Sequence, residues 1–247
     1  MAVRITSTGT QYFSRTTNLP TFSAFTYLAW IYLITDTNYY QNFFSYTGGS
    51  FGFYVGTSET GTTYFIHNPT GENAQGSELA LTTWYHIGFV VLGTGAGQML
   101  GYLNGVLNIT GNSATGSGSQ IRLANTSWDG DPPDMRMAAV KIYSAGLTAS
   151  EIQDEVQYFR PVRTTNLNTW LPCVHPTAAN NANDWSGNGY HMTVTGSPTV
   201  EDGPPISWAP RRRGPGKKSV VAIGAQQFMV ATQQLTRSGG MIGRRYV

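Results

Sequence analysis

The sequence predicts an all-β fold, a sandwich or jelly roll of two antiparallel sheets with one short helix and an extended basic C-terminal arm. Three observations carry this reading. Aromatic residues reach 13% and Gly numbers 29, while charged residues are only 11%; that profile fits short pleated strands joined by tight turns and fits helical bundles poorly. Segments of period two recur at short intervals from Gln11 to Tyr143. Charge is also partitioned, because Ala209 to Val247 holds eight Lys and Arg and no acid, whereas residues 1–208 hold seven against all thirteen acids. A body near −6 therefore carries an arm of +8.

The elements follow in order. Strand patterns rich in aromatic and β-branched residues cover Gln11 to Ser14, Phe25 to Leu33, Phe43 to Tyr46, Phe51 to Val55, Thr62 to His67, Trp84 to Leu92, Met99 to Leu103, Val106 to Ile109, Ile121 to Ala124 and Met135 to Tyr143. Turn clusters such as Thr47-Gly48-Gly49-Ser50 separate them, and Asn104-Gly105 predicts a two-residue type I′ hairpin, which needs positive φ at both central residues. Thr148-Ala149-Ser150-Glu151 is a capping box. Behind it Ile152, Val156 and Phe159 form one apolar stripe that ends before Pro161, so a short helix is expected there. Thr164 to Trp208 returns to strand and turn language, and Pro204, Pro205 and Pro210 close the body. The expected division is a jelly-roll domain over 1–208 and a basic arm over 209–247.

Four pieces, in this order, resemble the laminin-G-like branch of the concanavalin A-like jelly rolls. They are Phe25-Thr26-Tyr27-Leu28-Ala29-Trp30, Trp84 to Val90 with Tyr102 to Val106, Ala139 to Tyr143, and Leu147 to Ile152. Asp184-Trp185-Ser186-Gly187-Asn188-Gly189-Tyr190-His191 is similar to an element that the family usually carries near the start of its domain. Since jelly-roll ends lie close together, Met192 to Thr195 is expected beside the Gln11 to Ser14 strand. The resemblance makes Trp30 and Trp84 inward-facing core residues. It implies a non-catalytic recognition domain, often for glycans and sometimes calcium-assisted.

The chemistry-bearing residues are weighed against plainer roles. Trp128, Asp129, Asp131 and Asp134 form the leading glycan candidate, because an exposed Trp stacks on a sugar face while clustered carboxylates accept hydroxyls or hold a hard cation. The plainer reading is an acidic turn before a core strand. Tyr39 and Tyr40, with Tyr54, offer a stacking platform or simple packing. Asp184 reads as an Asx-type turn former and His86 as a hydrogen-bonded structural residue. His67, His175, His191 and the lone Cys173 show no metal-ligand spacing. No Glu-x-Asp-x-Glu strand occurs, and Glu151, Asp154 and Glu155 belong to the capped helix, so glycosidase chemistry is disfavoured. No catalytic residue, metal site or cofactor is expected; calcium is the one ion that the acidic loop would attract.

Arg211 to Lys218 has no apolar side chain beyond one Pro and cannot be held by hydrophobic burial. Arg211, Arg212, Arg213, Lys217, Lys218 and Phe228 are therefore expected to dock on a partner, either other virion proteins or further copies of the chain. Nucleic acid is disfavoured, since no RNA-binding or helix-turn-helix motif accompanies the cations. The start MAVRITSTGT has neither basic nor apolar signal regions, and no apolar run reaches membrane-spanning length. A lectin-like body without an export signal and with a docking arm predicts a virion structural or accessory protein, such as a capsid decoration or fibre-like module, assembled in the host cytoplasm. Cell-surface glycans are its expected ligands. The rival is a free carbohydrate-binding module or adhesin, and a glycoside hydrolase is the remote alternative.

Overall fold

The computed structural model describes residues 1–6, 11–36, 40–48, 52–58, 61–125 and 133–208. Along the chain run β1 (Ala2–Ile5), β2 (Tyr12–Arg15), β3 (Phe25–Leu33), β4 (Gln41–Thr47), β5 (Gly52–Thr57), β6 (Thr63–His67), β7 (Asn73–Glu78) and β8 (Trp84–Val91). They are followed by β9 (Gly95–Leu103), β10 (Val106–Ser113), β11 (Gln120–Leu123), β12 (Met135–Tyr143), α1 (Ala149–Glu155), β13 (Leu167–Leu171), β14 (Thr193–Thr195) and β15 (Thr199–Glu201). The first sheet has the order β10-β9-β8-β3-β12-β1-β15, with β13 also on β12; the second has the order β14-β2-β11-β4-β5-β6-β7. The jelly-roll sandwich expected from the sequence is thus present among the described residues. The arm, with its eight cations and Phe228, lies outside them.

The two sheets bury one aromatic core. Alternation on β3 sends Phe25, Tyr27, Ala29, Ile31 and Leu33 inward, where Tyr27 stacks on Phe44 at 4.5 Å and Phe25 meets Phe89 at 5.6 Å. The opposite phase of the same strand carries Thr26, Leu28, Trp30 and Tyr32 outward. Trp84 likewise faces out, because Ile87, Phe89 and Val91 take the inward phase of β8. This corrects the expectation for Trp30 and Trp84. Both are half-buried on the outer face of the first sheet, packed against a small cluster of Ala2, Ala138, Ala139 and Phe159.

Local chemistry sets the joints. Asn104 (φ 53°) and Gly105 (φ 81°) make the expected hairpin turn. Asn104 also ties that turn to β8, donating its N–H to the His86 carbonyl and accepting the His86 N–H on Oδ1 at 2.9 Å. The capping box is formed: Glu151 N–H donates to Thr148 Oγ1 at 3.3 Å, and Thr148 N–H donates to Glu151 Oε2 at 2.9 Å. The helix ends at Glu155, so Ile152 is its buried contact and Phe159 packs from beyond it. Thr193, Val194 and Thr195 pair with Ser14, Phe13 and Tyr12, which places the late strand beside β2 as expected.

Within β12 the register slips between Ala138 and Lys141, and Ala139 adopts φ 51°. This bulge keeps Met135 and Met137, then Val140 and Ile142, on the core side of one strand. It also turns Lys141 outward beneath α1, where its ammonium donates to Glu155 Oε2 (2.7 Å), the Glu155 carbonyl (3.1 Å) and the Tyr158 carbonyl (2.8 Å). Glu155 Oε1 accepts from Tyr143 Oη and from the N–H groups of Val162 and Arg163. Both charged side chains are fully buried, and every proton of the ammonium has an acceptor.

Candidate functional site

Two connections decide what one end of the sandwich presents. The β3–β4 connection leaves the first sheet at Leu33, which pairs with Met135 at the end of the β11–β12 connection; Ile34 N–H donates to the Asp134 carbonyl at 2.9 Å. Both connections reach the second sheet together. Phe44 of β4 pairs with Leu123 of β11, Ala124 N–H donates to the Phe43 carbonyl, and Ser45 Oγ donates to the Asn125 carbonyl at 3.0 Å. The described ends of the two connections are therefore adjacent, Ile34 beside Asp134 at the first sheet and Ala124 and Asn125 beside β4 at the second. The end of β5 adjoins the same place, since Thr57 pairs with Gln41.

Of the sequence-derived glycan candidates, Tyr40 and Asp134 fall among the described residues. Trp128, Asp129, Asp131 and Tyr39 lie outside the described residues. Tyr40 is half-buried with its ring against Phe65 at 5.3 Å, and the Asn42 amide donates to its carbonyl. Asp134 closes the longer connection. Its Oδ1 is 2.6 Å from Arg4 Nη2 and its Oδ2 accepts from Thr35 Oγ1 at 3.3 Å, so its charge is already balanced within the fold. Arg4 continues to Glu201, which also pairs with Arg136.

A polar row runs across the outer face of the second sheet. Strand register aligns Thr193, Ser14, Arg122, Ser45, Tyr54, His67 and Asn73, one from each strand. Ser45 and Tyr54 are buried at its centre, Arg122 and His67 are half-buried and Asn73 is exposed. Tyr54 meets His67 edge-on at 5.1 Å, and the Arg122 guanidinium lies 4.6 Å over the Tyr12 ring. Burial lowers the His67 pKa, partly offset by the hydrogen bond that its Nδ1–H donates to the Gly52 carbonyl, which leaves Nε2 of the neutral ring as an acceptor. Solvent reaches the row only at its flanks and not at its buried centre.

The remaining candidates take structural roles. Asp184 is a turn former as expected, accepting from Trp170 N–H, Ser186 N–H, Ser186 Oγ and Tyr190 N–H. His175 and His191 accept backbone N–H groups on Nδ1. Cys173 is buried, which pushes its thiol up to about 12 and leaves it inert. His86 departs from expectation: it is buried edge-on to Trp30 at 5.6 Å, and its Nδ1 has no hydrogen-bond partner among the described residues. Among the described residues no group of three or more His, Cys, Asp or Glu comes together as a metal site, and no helix is long and apolar enough to cross a membrane.

Two features escaped the sequence. One is the Lys141–Glu155 pair, whose only signal was a Lys inside the apolar run Met135 to Tyr143. The other is a cluster in which Trp170, Trp185 and Trp208 meet Phe159, with ring centroids 5.9 to 6.3 Å apart.

Comparison with known proteins adds a family. Residues 7–153 match the family model described as the concanavalin A-like lectin/glucanases superfamily. No curated protein matches the chain. Among solved structures, the chain is similar to a candidate carbohydrate binding protein of Bacteroides ovatus ATCC 8483, at 14% identity and a TM-score of 0.61 over 81% of this chain and 60% of that one. It is also similar to the heptameric SAP-like pentraxin of Limulus polyphemus, at 15% identity and a TM-score of 0.51 over 62% of this chain and 79% of that one. At these identities the likeness is one of fold, and the chain spans only 60% of the Bacteroides protein.

Proposed function

Since the chain belongs to the concanavalin A-like lectin/glucanases superfamily, we propose that it is a non-enzymatic carbohydrate-recognition module whose binding site is the sandwich end bordered by Tyr40 and Asp134. One observation carries the reading: Tyr40 and Asp134, from segments almost a hundred residues apart in sequence, border the same end. In this reading Tyr39, Tyr40 and Trp128 supply stacking surface, and Asp129 and Asp131 accept sugar hydroxyls. Asp134 anchors the loop through Arg4. The carboxylates of Glu151, Glu155, Asp184 and Glu201 are committed to ion pairs or turn hydrogen bonds, which supports binding over hydrolysis.

The module is further proposed to sit on a virion structural or accessory protein, with the basic arm fastening it to acidic neighbours or to its own copies. The charge partition of body and arm supports this second part. A glycan array on wild type, Tyr40→Ala and Trp128→Ala tests the site: the two substitutions are expected to remove the same glycans, and identical profiles for all three proteins move the site elsewhere. Deleting Arg211 to Val247 tests the setting, with loss of assembly and retained glycan binding expected. Unchanged assembly favours the free module.

A further inference from the structure

The tryptophan cluster lies beyond the family-matched residues 7–153 and on the other sheet from the proposed site. Trp170 stands opposite Lys141 in the β12–β13 register and so points outward from the first sheet. Two backbone contacts build walls over it. Phe159 N–H donates to the Ser207 carbonyl and Arg160 N–H to the Trp208 carbonyl, which lays the Trp208 ring on Phe159 at 5.9 Å and beside Trp170 at 6.0 Å. Trp185 N–H donates to the Trp170 carbonyl at 2.8 Å, and its ring meets Trp170 at 77° and Trp208 at 76°. The floor, Trp170, is 6% exposed, whereas Trp185 and Trp208 are 49% and 42% exposed.

Single exposed apolar side chains are ordinary, but two half-open indoles held at right angles over a third form a contiguous patch that water solvates poorly. The patch is also stiff. Asp184, next to Trp185, holds the turn through four hydrogen bonds, so little conformational freedom is left for a ligand to remove. Its flanks are polar, with exposed Asn183 and Asn188 on the Trp185 side, the latter's amide nitrogen spent on the Leu167 and Asn168 carbonyls so that it offers only Oδ1, and exposed Arg160 on the Trp208 side. An occupant must lay C–H surface on one indole, fit against the edge of a second, and turn hydroxyls toward amides and a guanidinium. A purely apolar partner would leave that rim unpaired. A pyranose ring meets all three requirements.

We infer that Trp185 and Trp208, on the Trp170 floor, form a second carbohydrate-binding site that takes a pyranose ring in the corner between the two exposed indoles. It goes beyond the site proposed above and is independent of it. The test is an array of hexose, pentose and sialic acid oligosaccharides read with wild type, Trp185→Ala, Trp208→Ala and Tyr40→Ala, each first shown to melt cooperatively; Trp185→Phe is carried alongside as the gentler change. At least one glycan is expected to bind tenfold or more weakly to both tryptophan variants, with partial recovery in Trp185→Phe. Loss with Tyr40→Ala but not with Trp185→Ala reports the first site, and the opposite pattern reports the second. Tryptophan variants whose profiles equal wild type, an empty array included, overturn the inference. So does self-association of the wild type in sedimentation that Trp185→Ala abolishes, since the cluster is then an interface between copies.

Discussion

His86 shows how one side chain couples the fold to pH. Burial, reinforced by the Lys141 charge, lowers its imidazole from the ordinary 6.5 to about 3. Between those values the unfolded chain binds a proton that the folded chain refuses, so stability falls as pH drops through this window. Over the unit from pH 6 to 5 the expected loss is about 1 kcal/mol for this group. Denaturant unfolding of wild type and His86→Leu at both values checks it, since the difference between the two slopes isolates the group from the carboxylates. Lys141 and Glu155 act in the opposite sense, as partners that cannot be parted. Lys141→Met leaves a buried carboxylate without its cation and is expected to cost ~3 to 5 kcal/mol, while Lys141→Met with Glu155→Gln should recover part of that loss.

At the scale of elements, the phase of a strand decides what its residues are worth. Phe89→Ala on the inward phase of β8 is expected to cost ~3 to 5 kcal/mol, and Trp84→Ala on the outward phase of the same strand at least ~1 kcal/mol less. Chemical denaturation of the two variants settles the order. The limits of sequence reading lie in the same place. Phe25 to Leu33 and Met135 to Tyr143 are legible to the residue because their alternation is long, and Thr148 to Glu151 is legible because a cap is local. β7 (NAQGSE) is invisible, since it is an edge strand made of polar residues with nothing to alternate. The phase of Trp84 misleads because an aromatic on either face leaves the same period-two pattern. Nor does any local signal announce the bulge at Ala139, where a residue other than Gly takes positive φ. Tyr40 and Asp134 could be picked out as residue types, but that they border one end depends on strand order, which no local pattern contains.

For the molecule as a whole, the separation of charge between body and arm predicts that the proposed attachment depends on ionic strength. The Debye length contracts from ~10 Å at 0.1 M salt to ~3 Å at 1 M, so attachment through Arg211, Arg212, Arg213, Lys217 and Lys218 is expected to loosen across that range. Neutralising all five should weaken it at low salt without moving the melting temperature of residues 1–208. Equal attachment of the neutralised variant at every salt concentration would reduce the arm to a solubility device. The division of aromatic residues between the two sides of the first sheet has an optical consequence. Among the described residues the aromatic rings of the main core come from Phe and Tyr and none from Trp, whereas Trp30, Trp84, Trp170, Trp185 and Trp208 all lie on or beside the outer face of the first sheet. In a Trp128→Phe background, indole fluorescence therefore reports the outer layer of the first sheet and tyrosine absorption the interior. A tryptophan transition that precedes loss of far-ultraviolet ellipticity would mark loosening of that outer layer, while the sheets beneath it stay folded.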